Sequence, residues 1–274
     1  MFAKKLNQMI EERNSLLCVG LDTAMEKIPA HLRQNAEGLL RFNREIIEAT
    51  LPYCSAYKLN IAFYEALGIE GWRLLKKTRE LIPDNRLVIA DAKRGDIGNT
   101  SRKYAETFFR TFDFDAITVA PYMGSDSVEP FLEFSDRGVF ILCLTSNSGS
   151  RDFQYLPVNG RPLYELVAEK ISQWNKRHGN CGLVVGATHP EEMRRIRQIA
   201  TGLPILIPGI GAQGGDLATT VQAGCEEGGP NALINVSRAI IYADDSPAFA
   251  KAAAKQAAFY QQEINRYYNP QGGK

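Results

Sequence analysis

Short apolar runs alternate along this chain with longer segments of helical period. The runs predict strands over residues 16–21, 56–61, 87–91, 116–120, 139–145, 182–186, 205–208 and 232–236. Helical spacing covers 37–49, 64–81, 100–112, 162–177, 191–200 and 247–267, and residues 1–10 read as a short amphipathic helix. The strand runs are continuous rather than alternating, as in parallel strands covered on both faces. Eight strands alternating with helices over roughly 250 residues predict an α/β fold, a closed (β/α)8 TIM barrel. An open doubly wound sheet would ordinarily place a glycine-rich turn after its first strand. Here Gly20-Leu21-Asp22 stands after the first strand, and the glycine cluster follows the seventh.

The chain has 274 residues, 45% of them hydrophobic, enough for one sizeable core. We expect one barrel domain over residues 1–274, with a tail frayed from about 269. A formal net charge of +1 argues against nucleic acid or a membrane surface as the main partner. Cys18, Cys54, Cys143, Cys181 and Cys225 are odd in number and scattered, as expected of reduced thiols in a cytoplasmic protein. The N-terminus is too polar for a signal peptide, and no run approaches a membrane span.

The polar residues at the ends of the predicted strands carry the chemistry. In such barrels reactive groups gather at the C-terminal ends of the strands. Side chains alternate along a strand, so Leu87, Ile89, Asp91 and Lys93 share a face, with the charged pair at its rim. Asp96 follows in the turn, and Lys58 lies on the neighbouring strand. Carboxylates beside Lys93 favour its charged form. A protonated lysine can stabilise a developing carbanion and then donate its proton to it. The second candidate group is Pro208-Gly-Ile-Gly-Ala-Gln213-Gly-Gly215 with Ser237-Arg238. Barrels often bind phosphate between the loops after strands seven and eight, where glycine amides and an arginine fork suit a dianion. His31, His178 and His189 are isolated, with no metal-ligand spacing, and read as surface or capping residues. Ser146 and Ser148 have no histidine placed to activate them, which argues against hydrolase chemistry.

Taken together, these residues resemble a known family. The stretch 87–100, an apolar strand followed by Asp91-Ala-Lys93-Arg-Gly-Asp96-Ile97 and then Thr100, is similar to the signature of the orotidine 5′-phosphate decarboxylases. Gly20-Leu-Asp22, Lys58, Thr145-Ser146-Asn147, the segment 208–215 and Arg238 fall in that family's order. The Asp-Ala-Lys-Arg-Gly-Asp-Ile and Asn-Val-Ser-Arg strings resemble its second, mainly bacterial subgroup. The resemblance implies cofactor-independent loss of CO2 from orotidine 5′-monophosphate (OMP) to give UMP, the last step of de novo UMP synthesis, with no metal and no organic cofactor. It further implies that Lys93 protonates C6, Asp91 lies beside the scissile carboxylate, Lys58 orients Asp91, and Asp22 binds a ribose hydroxyl. Ser146 would meet the pyrimidine, while Gln213, Ser237 and Arg238 would hold the phosphate. The family's homodimers imply that Asp96, Ile97 and Thr100 reach the neighbour's site. Ser148 departs from the pattern, standing where many relatives carry proline, so the loop after it is the least constrained; residues 150–161 are expected to form part of a closing lid. Two other readings stay open: a related barrel acting on a sugar phosphate with magnesium, and a catalytically silent nucleotide-binding barrel.

Overall fold

The structure, a computed structural model, describes residues 2–211, 216–225 and 231–268. Its strands in chain order are β1 (Leu17–Gly20), β2 (Ala56–Asn60), β3 (Leu87–Arg94), β4 (Ala116–Val119) and β5 (Gly138–Leu144). Next come the two-residue strands β6 (Pro157–Val158) and β7 (Arg161–Pro162), then β8 (Cys181–Val185), β9 (Ile205–Pro208) and β10 (Ala232–Val236). β6 and β7 form a small antiparallel ribbon, and the others close into a parallel barrel in which β10 pairs with β1. The barrel predicted from the apolar runs is therefore the fold observed. Its strands are buried on both faces because helices cover the outside and side chains fill the interior.

The helices are α1 (Phe2–Arg13), α2 (Ala36–Thr50), α3 (Ile61–Glu65), α4 (Gly68–Leu81), α5 (Gly98–Glu106), α6 (Ser125–Leu132), α7 (Leu163–His178), α8 (Pro190–Ile199), α9 (Leu217–Gly224), α10 (Arg238–Ile241) and α11 (Phe249–Tyr268). The pattern did not predict α6 or α9. Each has eight residues, and α6 carries Pro130 inside it, so neither offers a long periodic face. The predicted helix 64–81 is split at Gly68, whose φ of +63° breaks the helical run between α3 and α4. The N-terminal helix extends beyond the ten residues expected. It buries Phe2, Leu6, Met9 and Ile10, and the Phe2 ring meets Phe140 edge-on at 5.9 Å. With Lys5 paired to Asp115 just before β4, α1 closes the N-terminal end of the barrel.

Irregular pairing lies at the opposite end, where β5 and β8 shift register between Leu142 and Leu144 and β3 and β4 shift between Ala90 and Arg94. β3 was expected to stop at Asp91 but runs to Arg94. Its pairing with β4 passes from Ala90↔Ile117 to Arg94↔Val119, a bulge that adds residues on the β3 side. Lys93 sits in the bulge with φ +47°, a left-handed conformation that costs a non-glycine residue about 1–2 kcal/mol. Its amide donates to Thr118 Oγ1 at 2.9 Å, which helps hold that conformation. Strain of this kind, maintained by surrounding contacts, collects at functional sites.

Candidate active site

The C-terminal mouth of the barrel encloses a cavity of about 390 Å³. Registers explain its charged wall. β1 and β2 align Gly20 with Lys58, and β2 and β3 align Asn60 with Asp91, so inward positions of adjacent strands meet at the rim. Lys58 Nζ donates to Asp91 Oδ2 at 2.8 Å and lies 3.6 Å from Asp22 Oδ1. Lys93 Nζ donates to Asp91 Oδ1 at 2.5 Å, and Thr118 Oγ1 donates to the same oxygen at 3.0 Å. Asp91 thus lies between two ammonium groups and a hydroxyl.

Burial decides how these charges behave. The Lys58 side chain is 3% exposed, while that of Lys93 is 49% exposed and reaches the open cavity. Burial pushes the Asp91 carboxyl up, but Lys58 and Lys93 outweigh it and hold the group well below the usual carboxylate range. For Lys58 burial alone would favour the neutral amine; Asp22 and Asp91 together keep it above the ordinary lysine value. A buried ion pair is tolerated when hydrogen bonds meet its remaining capacity. Here Lys58, Lys93 and Thr118 meet both Asp91 oxygens, while Asp22 Oδ1 is buried without a hydrogen bond.

The far rim is built differently. Ser146, after β5, lines the cavity, and its buried hydroxyl has no hydrogen-bond partner. Asn235 on β10 also lines it, with its Oδ1 buried and unpartnered. Gly209, at φ +108°, and Gly211, at φ +76°, adopt backbone conformations open mainly to glycine, turning the chain after β9 beside the cavity. Ser237 and Arg238 stand at the start of α10 and line the same space; Arg238 is exposed, with no ion-pair partner among the described residues.

Asp22, Lys58, Asp91, Lys93, Ser146, Ser237 and Arg238 therefore converge on one cavity, although scattered along the sequence. Gln213 lies outside the described residues. Asp96, Ile97 and Thr100 do not line their own chain's cavity. The Asp96 carboxylate accepts from the Ile97 amide at 2.8 Å, and its backbone is tied to the Ser101 hydroxyl. Asn60, Thr145, Asn147 and Asn235, polar residues at the ends of predicted strands, also line the cavity, as does Thr118, which the strand-end pattern does not mark. Thr118 had a signal, since inward positions on β4 alternate and a hydroxyl there must face the charged wall. His189 is not a simple cap: its ring lies half-buried and bonds the Thr145 carbonyl oxygen from Nε2 at 3.1 Å, because the chain after β8 folds back toward the β5 loop. Among the described residues no three of His, Cys, Asp and Glu are grouped to hold a metal ion, and no helix is long and apolar enough to cross a membrane.

Comparison with known proteins gives this cavity a context. A protein named orotidine 5′-phosphate decarboxylase from Dehalococcoides mccartyi is 52% identical over 270 residues, covering 97% of this chain and 98% of that one. A second of the same name, from Thermomicrobium roseum, is 50% identical over 267 residues, covering 97% and 95%. Among solved structures, the OMP decarboxylase of Leishmania donovani matches with a TM-score of 0.84 at 43% identity, over 96% of this chain and 98% of that chain. The UMP synthase of the same organism matches with a TM-score of 0.87 at 43% identity over 98% of this chain, which spans 57% of that longer chain. The family model described as orotidine 5′-phosphate decarboxylase / HUMPS family matches residues 15–253, most of the barrel, and with this agreement of sequence and fold the chain belongs to that family.

Proposed function

We propose that this chain, as a single barrel domain, is a carboxy-lyase that converts OMP to UMP and CO2 without a cofactor. The observation that supports the reading most is the Lys93 ammonium, held 2.5 Å from Asp91 at the open end of the cavity. When the C6–carboxylate bond breaks, its electron pair stays on C6 and needs a cation beside it. Lys93 stabilises that carbanion and then transfers a proton from Nζ to C6, and the resulting amine regains a proton from solvent. Asp91 stays ionised and lies beside the departing carboxylate; its partners Lys58 and Thr118 fix its position. Lys58 and Asp22 meet the ribose and Ser146 the pyrimidine, while Gln213, Ser237 and Arg238 hold the phosphate. Binding energy from that remote phosphate can offset the cost of ordering the site.

Lys58 also weighs against a magnesium-dependent sugar-phosphate chemistry. A buried ammonium stands between Asp22 and Asp91, where a divalent ion would need those carboxylates. The test is one spectrophotometric assay with OMP in excess EDTA. Loss of orotate absorbance is expected; no turnover without added magnesium, or binding of UMP with no turnover at all, would overturn the reading.

The active unit is a cytoplasmic homodimer in which Asp96, Ile97 and Thr100 serve the neighbouring cavity. Ile97, Tyr122 and Phe153 support this, as apolar side chains exposed on the loops after β3, β4 and β5. Mixing inactive Lys93→Ala with inactive Asp96→Ala protein should restore part of the activity through hybrid dimers. If subunits exchange and no activity returns, Asp96 acts within its own chain.

A further inference from the structure

Ser146 sits on a loop, where a side chain is not held by the barrel ladder. Its hydroxyl can meet a ligand reproducibly only if the backbone before it is fixed. Thr145 is held at every polar group it has. Its amide donates to Gln154 Oε1 at 2.8 Å, and Gln154 Nε2 donates back to Thr145 Oγ1 at 2.8 Å. The same Oγ1 donates to Asn147 Oδ1 at 2.7 Å. The Thr145 carbonyl, which belongs to the peptide bond joining it to Ser146, lies 3.1 Å from His189 Nε2. A carbonyl can only accept, so Nε2 carries a hydrogen and donates it.

The ring is itself held. The Tyr155 hydroxyl lies 3.2 Å from His189 Nδ1 and donates to Glu192 Oε1 at 2.9 Å. The two rings meet edge-on at 6.0 Å, and the Arg151 guanidinium covers the Tyr155 ring at 5.2 Å. From the other side Ser146 abuts the chain after β8: a Cβ placed on Gly186 would lie 2.1 Å from Ser146 Oγ. These contacts join the loop after β5, the segment Ser148–Asp152 that follows it and the N-terminus of α8.

We propose that His189 is a positioning residue for ligand recognition: through its Nε2–H bond to the Thr145 carbonyl it sets the Thr145–Ser146 peptide plane and so aims the Ser146 hydroxyl into the cavity. It touches neither the substrate nor the reacting atoms. The inference rests on the reading of Ser146 as the contact to the base ring, and it adds to that reading the device that directs it.

The test compares substitutions that mimic different ring nitrogens. A glutamine amide nitrogen falls near His Nε2, and an asparagine amide nitrogen falls near Nδ1. UMP affinity is measured by titration calorimetry, and KM and kcat for OMP in the steady state. His189→Ala should weaken UMP binding and raise KM by about five- to tenfold, the worth of one hydrogen bond, with a smaller change in kcat. His189→Gln should recover to within about twofold of wild type, while His189→Asn should not. In a Ser146→Ala background His189→Ala should add less than about twofold, since nothing remains to be aimed. Equal behaviour of the Gln and Asn variants, or full additivity with Ser146→Ala, overturns the proposal; general loss of packing would produce that equal behaviour. If wild-type protein turns over OMP while no His189 variant changes affinity or KM, only this inference fails. If wild type neither turns over OMP nor binds UMP, the functional reading fails, and this inference fails with it.

Discussion

The two sides of the barrel mouth differ in how much of their polar capacity the fold already uses. On the β1–β4 side, Lys58, Lys93 and Thr118 all meet the Asp91 carboxylate within the free protein, while Asp22 Oδ1, 3.6 Å from Lys58 Nζ, is left without a hydrogen bond. On the β5–β10 side, Ser146 Oγ and Asn235 Oδ1 are buried without partners, and Arg238 projects with no ion pair among the described residues. The first side is arranged before any ligand arrives, as groups that act on a breaking bond must be if reorganisation is not to add to the barrier. The second side has donors and acceptors that only a ligand can complete, which suits recognition. Loss of function on the first side should therefore appear in rate and stability, and on the second in affinity.

The largest expected effect is on rate. Lys93→Ala should lower kcat by on the order of a thousandfold or more while UMP still binds, because it removes both the cation and the proton donor. Near-normal turnover in stopped assays would remove Lys93 from the chemistry and undo the contrast between the two sides.

Next comes stability. Asp91→Ala leaves Lys58 buried with one weaker neighbour. Loss of a partner from a buried pair costs about 3–5 kcal/mol, and the lower end applies because Asp22 remains 3.6 Å away. The pH dependence has a definite sign. Asp91 is depressed in the folded protein, so its contribution is present above the ordinary carboxylate value near about 4 and is lost as pH falls through the folded value. Lys58 is raised, so its contribution is present below the ordinary lysine value near about 10.4 and is lost as pH rises through the folded value. Between about pH 5 and 9 neither titrates in the wild-type protein, so this cluster should add no slope to its urea midpoint there. In Asp91→Ala, by contrast, the buried Lys58 has lost a charge that raises it and should titrate at lower pH than in wild type. A slope from this cluster in the wild-type protein within that window would mean that it is not locked in its charged form.

The contrast also marks what was legible in the sequence. The charged wall could be read from β3 because Asp91 and Lys93 close a buried apolar run, and the apolar runs identified the barrel that brings Lys58 beside them. Regular alternation, the reason for expecting Asp91 and Lys93 on one face, does not hold through the bulge. The bulge was not legible. It turns on the left-handed φ of Lys93 and its amide bond to Thr118, a residue 25 positions later, and local pattern carries no such information. His189 escaped for the same reason, since its role depends on Thr145 and Tyr155, distant in sequence. α6 and α9 were too short to show a periodic face. The strings at 91–97 and 208–215 were informative because they sit at strand ends, where a barrel needs little else from those residues.

On the recognition side Arg238→Ala should weaken UMP binding by about 1.5–3 kcal/mol, the worth of a charged hydrogen bond, while uridine affinity stays unchanged. Equal losses for nucleotide and nucleoside would show that Arg238 does not meet the phosphate, leaving the glycine turn at Gly209 and Gly211 as the candidate on this rim.

The smallest effect sharpens the comparison most, because fold and ligand should respond in opposite directions. Ser146→Ala removes a buried hydroxyl that the free protein leaves unpaired. Leaving such a group unmet costs about 1–3 kcal/mol, so its removal should hold or raise the urea midpoint. UMP affinity should still fall by about three- to tenfold, one neutral hydrogen bond. Thr118→Val on the opposite wall is the counterpart: its hydroxyl accepts from the Lys93 amide and donates to Asp91, so the same kind of deletion should destabilise the fold. If both substitutions destabilise alike and neither changes affinity, the Ser146 hydroxyl serves the fold, and the division of the mouth into a completed side and an open side does not hold.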